Sequence, residues 1–173
     1  IINYSNAWLE VYDKPVVYFP KFFHPDPTVK RQSGFLIPTL NDSGNSGTSV
    51  QIPYFKVIAE DEDMTIKPRV FTNNDIILQN EYRKVGKNYD HISDLSFYTS
   101  ALGNSNQTSK SHFFSNTKFN FEDVVFEDSN FEINLEQVAN DTYLKKYKIN
   151  SPLIKSETLM HSFLKFDGFN DDS

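Results

Sequence analysis

The stretch DIILQNEYRKV, residues Asp75–Val85, alternates between two kinds of side chain along its length. One set of alternate positions holds Ile76, Leu78, Asn80 and Tyr82, and the other holds Ile77, Gln79, Glu81 and Arg83. Successive side chains of a β-strand point to opposite faces, so this two-residue period predicts a strand with one more apolar face and one more polar face. The stretch therefore predicts a fold built from β-strands.

The same period recurs before and after this stretch, in segments of about ten residues separated by clusters of Asn, Asp, Ser and Gly. It predicts strands at 34–40, 48–57, 64–72, 75–85, 91–101, 112–121, 130–138 and 157–166. Tight turns are predicted at 73–74 and 86–88, and long polar loops at 102–111 and 139–156. Consecutive strands joined in this way predict an all-β, antiparallel, up-and-down sheet.

Alternation alone leaves two kinds of sheet open. A soluble β-sandwich turns its polar side to water, whereas an outer-membrane β-barrel turns its polar side to a wet lumen and its apolar side to lipid. Strands of about ten residues match a tilted membrane strand better than the five or six residues usual in soluble sheets. Short turns together with long loops are also typical of membrane barrels. Both features favour the barrel, and the soluble sandwich stays the alternative.

Charge and composition exclude several functional classes. The formal net charge of −6 makes nucleic-acid binding unexpected, because nucleic-acid phosphates require a basic surface. The chain has no cysteine, its four histidines lack metal-ligand spacing, and no nucleophile stands beside a base. The acidic run at 60–63 predicts a turn between strands. We therefore expect a protein that is not an enzyme and uses no cofactor or metal ion.

Two proline-containing strings precede the long strands: VYDKPVVYFP at 11–20 and HPDPTVKRQSGFLIP at 24–38. Together they resemble the signature of the LptD family, also called OstA, and IPYF at 52–55 and NEYR at 80–83 follow in the family's order. In that family the signature joins a periplasmic β-jellyroll to a large outer-membrane barrel. The resemblance implies that residues 1–30 are the end of the jellyroll and the junction, and that residues 31–173 are the first, incomplete set of barrel strands.

The strand-like alternation of the opening residues also predicts that the chain is an internal part of a longer protein. The resemblance implies an outer-membrane protein of Gram-negative bacteria, with its N-terminal part in the periplasm, that inserts lipopolysaccharide into the outer leaflet. The implied partners are lipopolysaccharide, outer-membrane lipid, a plug lipoprotein of the LptE type, and a bridge protein of the LptA type reached through the upstream jellyroll. The alternative function is a soluble β-sandwich or jellyroll binding module of a secreted or surface protein.

Four residues are candidates for a functional role. Pro38 and Pro53 stand in consecutive predicted strands, and each removes an N–H group from the ladder. In the family, prolines at matching positions lie beside a lateral seam through which lipid passes; the alternative is an ordinary pair of edge or bulge prolines. Lys30 and Arg31 are expected to contact lipid phosphates, since cations suit anionic head groups, although such a pair is more often a solvated charge.

Overall fold

The computed structural model describes residues 2–11, 14–24, 31–43, 47–100, 110–121 and 128–169. These residues form twelve strands and one short helix: β1 (Ile2–Val11), β2 (Lys14–His24), β3 (Gly34–Phe35), β4 (Thr39–Ser43), β5 (Gly47–Gln51), β6 (Tyr54–Ala59), β7 (Glu62–Phe71), β8 (Asp75–Val85), β9 (Tyr89–Ser100), β10 (Ser111–Phe121), β11 (Asp128–Val138), α1 (Tyr143–Tyr147) and β12 (Phe163–Phe169). In this part of the chain no helix combines the length and the apolar character needed to cross a membrane.

The strands form two antiparallel sheets. β1 and β2 make a two-stranded sheet, and β3 to β12 make a ten-stranded one. From β7 to β12 each strand pairs with the strand that follows it in sequence, which is the up-and-down order. The expected all-β, antiparallel fold is confirmed, and the predicted bounds of β8 coincide with the observed ones.

The first two long strands of the larger sheet are each divided into two pieces. β3 pairs with β6 and β4 pairs with β5, while β5 and β6 both pair with β7. The pieces β3 and β4 are therefore successive parts of one edge strand, and β5 and β6 are successive parts of its neighbour. The order of described strands ends at β4 on one side and at β12 on the other.

The two faces of the larger sheet differ in polarity and burial in an unusual way. One face exposes large apolar side chains, among them Ile76, Leu95, Phe97, Phe113, Leu135, Leu164 and Phe166. The opposite face buries polar side chains, among them Ser49, Arg69, Gln79, Glu81, Asp94, Ser96, His112, Asn134 and Glu136. Water-soluble proteins most often bury their apolar residues and expose their charged ones. In this sheet that distribution is reversed.

The chain between β11 and β12, residues 139–162, folds back onto the polar face, and we call it the inward segment. Its buried apolar side chains, Tyr143, Leu144, Tyr147 and Ile149, form a core cluster with Phe71, Ile77 and Phe114 of the strands. The predicted loop at 139–156 does lie in the connection between β11 and β12, but the prediction that a strand begins at 157 was wrong. The segment contains α1 and buries several apolar side chains, and β12 begins only at Phe163. A five-residue helix is too short to be stable alone, so it depends on this packing.

Candidate functional site

Pro38 lies at the interruption of the edge strand. β3 pairs with β6 as far as Phe35↔Tyr54, and pairing resumes between β4 and β5 at Thr39↔Gln51. The pairing of the edge strand with its neighbour shifts by one residue across this break. A position of the edge strand that would face one side of the sheet without the shift therefore faces the other side after it. Because proline has no N–H group, position 38 cannot donate to the ladder. β4 is thus a separate piece of the edge strand, joined to β5 by five residue pairs.

Pro53 lies at the interruption of the neighbouring strand. The N–H of Leu36 donates to the Pro53 carbonyl at 2.8 Å, and the N–H of Ile52 donates to the Pro68 carbonyl at 3.1 Å. Pro38, Pro53 and Pro68 therefore lie at nearly the same height along three neighbouring strands: the edge strand, its neighbour and β7. The sequence prediction placed Pro38 and Pro53 inside strands; the structure places both at the breaks instead. Pro68, which lies inside β7, was not singled out from the sequence.

Arg31 lies before β3 and is paired with carboxylate and carbonyl groups. Its guanidinium forms an ion pair with the buried Asp63, and its Nη1 donates to the Glu60 carbonyl at 3.5 Å. Arg83 Nε donates to the other oxygen of Asp63 at 2.8 Å. Arg31 also lines an open cavity of about 440 Å³ together with Val57, Ala59 and Glu60. The second candidate cation, Lys30, lies outside the described residues, and the predicted lipid contact of both stays a prediction.

A buried polar network crosses β8, β9 and β10 on the polar face. Asp94 is fully buried and accepts two hydrogen bonds from Gln79 Nε2, at 2.8 and 3.1 Å. His112 Nε2 lies 3.3 Å from Asp94 Oδ1, and His112 Nδ1 is hydrogen-bonded to Ser96 Oγ at 2.6 Å. Ser96 Oγ also lies 2.7 Å from the Tyr143 hydroxyl of α1. The network therefore anchors the inward segment to three strands.

Ser96, His112 and Asp94 are the residue types of a hydrolytic triad, but their surroundings exclude that chemistry. The exposed fractions of the three residues lie between 0% and 3%. The Ser96 hydroxyl is already bonded to Tyr143, so no space is left for a substrate carbonyl beside it. The sequence did not reveal this cluster, because the three residues meet only through the register of β9 with β10.

Burial raises the pKa of Tyr143 to about 12, with a smaller opposing effect of its hydrogen bond to Ser96. An unfolded tyrosine has a pKa of about 10. Neutral Tyr143 therefore contributes fully to stability below about pH 10, and this contribution is lost as the pH rises from about 10 through 12. We expect the difference in tyrosinate absorbance between the full-length protein and its Tyr143→Phe variant to show one tyrosine titrating near pH 12. A difference titrating near pH 10 would mean that Tyr143 is exposed.

Hydrogen bonds at two further places connect the inward segment to strands near the edge of the sheet. Arg69 Nη1 of β7 donates to the Tyr147 carbonyl at 2.5 Å, and Arg69 Nε donates to Ser49 Oγ of β5 at 2.8 Å. Lys148 Nζ donates to the Asp42 carbonyl of β4 at 3.2 Å. On the far side, Gln79 Nε2 donates to the Asn150 carbonyl at 3.0 Å. These contacts span from β4 to β8 across the polar face.

No family model matches the chain, but curated relatives do. The LPS-assembly protein LptD of Idiomarina loihiensis is 27% identical over 150 residues, which are 84% of this chain and 19% of that protein. The LPS-assembly protein LptD of Legionella pneumophila is 26% identical over 166 residues, 90% of this chain and 20% of that protein. That of Cupriavidus pinatubonensis is 37% identical over 81 residues, 47% of this chain and 10% of that protein. The chain thus spans a fifth or less of the length of these relatives.

Proposed function

We propose, on the similarity to LPS-assembly proteins of the LptD family, that the chain forms part of the wall of an outer-membrane β-barrel that assembles lipopolysaccharide in the outer leaflet. Residues 31–173 supply barrel strands, and residues 1–30 supply the end of a periplasmic jellyroll and the junction. The separation of the β1–β2 sheet from the ten-stranded sheet supports this division. The function is physical transfer and insertion of lipid, without covalent chemistry.

The observation that carries this proposal is the reversed polarity of the ten-stranded sheet. Its exposed apolar face suits lipid tails, and its polar face suits a wet lumen. Exposed apolar patches of this extent are rare on soluble monomers and mark membrane or protein contacts. A soluble binding module, the alternative from the sequence, would bury the apolar face instead.

The lateral seam of the proposed barrel lies at β4. Within the described part of the chain this strand ends the sheet, and Pro38 and Pro53 shorten the ladder that holds it. Each proline lacks the N–H group through which another residue could add a ladder hydrogen bond, which typically contributes about 1 kcal/mol. Separation of this edge from a closing strand therefore requires less free energy than it would at an uninterrupted strand, which suits a lipid exit.

The partners of the full-length protein follow from the same proposal. They are lipopolysaccharide as cargo, surrounding outer-membrane lipid, a plug lipoprotein of the LptE type inside the barrel, and a bridge protein of the LptA type at the jellyroll. Lys30 and Arg31 supply positive charge at the junction for cargo phosphates. A cargo phosphate would have to compete with Asp63 for Arg31, because the Arg31 guanidinium already forms an ion pair with the Asp63 carboxylate.

Neighbouring residues of β12 give a direct test of which face meets lipid. Leu164 and Lys165 are both exposed and lie on opposite faces of one strand. We expect a fluorophore on Leu164→Cys of the full-length membrane protein to be quenched severalfold more by brominated lipid than one on Lys165→Cys, because only the apolar face contacts the bilayer. Phe113→Cys and Lys118→Cys repeat the comparison on β10. Equal quenching at the two members of each pair would contradict the proposed orientation.

Export itself is tested in cells depleted of their own lipopolysaccharide-assembly protein. The full-length protein that contains this chain should restore lipopolysaccharide at the cell surface, whereas the same protein lacking the ten-stranded sheet should not. A soluble, monodisperse and cooperatively melting preparation of the chain without detergent would favour the soluble module instead.

A further inference from the structure

We propose that Arg69 and Lys148 are positioning residues that clamp the edge piece β4 to the inward segment, so that the edge moves only when these contacts break. The inference rests on the proposed function, since it assigns the clamp to the same seam. It adds to that function a mechanical link between the seam and a segment that follows it by about a hundred residues in sequence.

The first step concerns how weakly the ladder holds β4. Its five residues pair with β5 from Thr39↔Gln51 to Ser43↔Gly47, and the order of described strands ends there. The breaks at Pro38 and Pro53 separate β4 from the β3–β6 pairing. With so short a ladder, contacts from outside the sheet contribute a large share of the restraint on β4.

The second step is that two such contacts exist and reach adjacent residues of β4. The direct one runs from Lys148 Nζ to the Asp42 carbonyl. The indirect one begins at the Tyr147 carbonyl and passes through Arg69 to Ser49, whose hydroxyl donates to the Asn41 carbonyl at 3.3 Å. Consecutive residues of the inward segment therefore hold consecutive residues of the edge.

The third step is that the inward segment itself is firmly held. Tyr143 and Leu144 are buried in the core cluster, and Tyr143 joins the network of Ser96 and His112. Gln79 holds the segment again at the Asn150 carbonyl. The clamp thus connects a loosely paired edge to a packed part of β8 to β10, and displacement of the segment would release the edge.

Arg69 is built into this arrangement rather than solvated. Its side chain is buried, and its guanidinium lies 5.0 Å from the centre of the Phe71 ring, in cation–π contact. Its Nε and Nη1 donate to Ser49 and Tyr147, which lie on the two sides of the clamp, while its buried Nη2 has no hydrogen-bond partner in the described part of the chain. Burying a cation is costly, and the hydrogen bonds of Nε and Nη1 offset part of that cost, so the ordered clamp is favoured over a state in which these two bonds are broken.

The test measures backbone amide exchange in the full-length protein in membranes. We expect Lys148→Met to increase exchange in the peptide that contains Thr39–Ser43 severalfold and to leave the peptide that contains Asp75–Val85 unchanged. Lys148→Arg should preserve protection, because its guanidinium still donates to a carbonyl. Lys145→Met, on the exposed side of α1, should also have no effect. Asp42→Asn should have none either, since the acceptor on β4 is a backbone carbonyl. Unchanged exchange in Lys148→Met would overturn the proposal.

A second experiment locks the clamp. Asp42 and Lys148 are both replaced by cysteine in the full-length protein, and a short bis-maleimide joins the two thiols. Within this chain the reagent can react only with the introduced cysteines, because the chain has no cysteine of its own. We expect the joined protein to export lipopolysaccharide severalfold less than the same variant before joining. Equal export after joining would contradict coupling between clamp and seam. If the unmodified protein exports no lipopolysaccharide, the proposed function fails, while the exchange experiment still decides whether the clamp exists.

Discussion

Full-length protein carrying Pro38→Ala and Pro53→Ala together is expected to place much less lipopolysaccharide on the cell surface than the unmodified protein. Alanine restores an N–H group at each break, and each new ladder hydrogen bond contributes about 1 kcal/mol. Two such bonds stabilise the closed edge by about 2 kcal/mol, which on this scale lowers the open population by a factor on the order of thirty. Surface lipopolysaccharide in a depletion strain measures the effect.

Pro15→Ala is the matched control for this double substitution. Pro15 is exposed and lies in β2, in the separate two-stranded sheet. Its replacement should leave export unchanged while testing the general effect of losing a proline. Export by the double variant at the level of this control would remove the seam role from Pro38 and Pro53. Each single substitution should fall between, since each restores one donor.

Asp94→Ala is expected to reduce the free energy of unfolding of the full-length protein in detergent by about 3 kcal/mol. The carboxylate is fully buried and accepts from Gln79 on one side while contacting His112 on the other. Its removal leaves Gln79 with only the Asn150 carbonyl as acceptor and removes the carboxylate that lies beside the buried His112, and hydrogen bonds to a charged group typically contribute about 1.5 to 3 kcal/mol each. Denaturant unfolding followed by the loss of β-sheet signal measures the change.

Two other substitutions serve as controls for the loss of stability expected in Asp94→Ala. Asp94→Asn keeps the shape and one acceptor oxygen, so about half of the destabilisation should remain. Asp90→Ala removes an exposed carboxylate on the same strand and should change stability by no more than about 0.5 kcal/mol. A loss below about 1 kcal/mol in Asp94→Ala would show that the network contributes little to holding the sheet together.

The strands could be predicted from the sequence wherever alternation was regular. β8 has two clearly different faces, and its predicted bounds agree with the structure. The last strand was misplaced because residues 157–162 also alternate weakly, yet they belong to the inward segment and β12 starts at Phe163. Local periodicity cannot distinguish a strand from a segment whose side chains are buried by distant partners.

The inward segment shows why the rest could not be predicted. The positions of Tyr143 and Tyr147 at a four-residue spacing fit one face of a helix, but a five-residue helix carries too little pattern to recognise. Its partners, such as Phe71 and Ile77, are more than sixty residues away in sequence. The Asp94 cluster and the clamp on β4 likewise arise from strand register, which a single sequence does not specify. Pro38 and Pro53 could be recognised from the sequence as interruptions of the ladder, but their proposed role at a seam came only from the family resemblance.

The reversed polarity of the sheet has a consequence for how its sequence changes over time. Fluid hydrocarbon imposes no fixed shape, so exposed positions such as Leu135 and Leu164 should accept almost any apolar residue. The opposite face holds hydrogen-bonded pairs such as Gln79 with Asp94 and Ser96 with His112, and replacing one member alone removes a bond that its buried partner makes. Substitutions should therefore accumulate quickly at every second position of a strand and slowly at the positions between. Residues of the slow set should change in concert with the partners that they contact across strands.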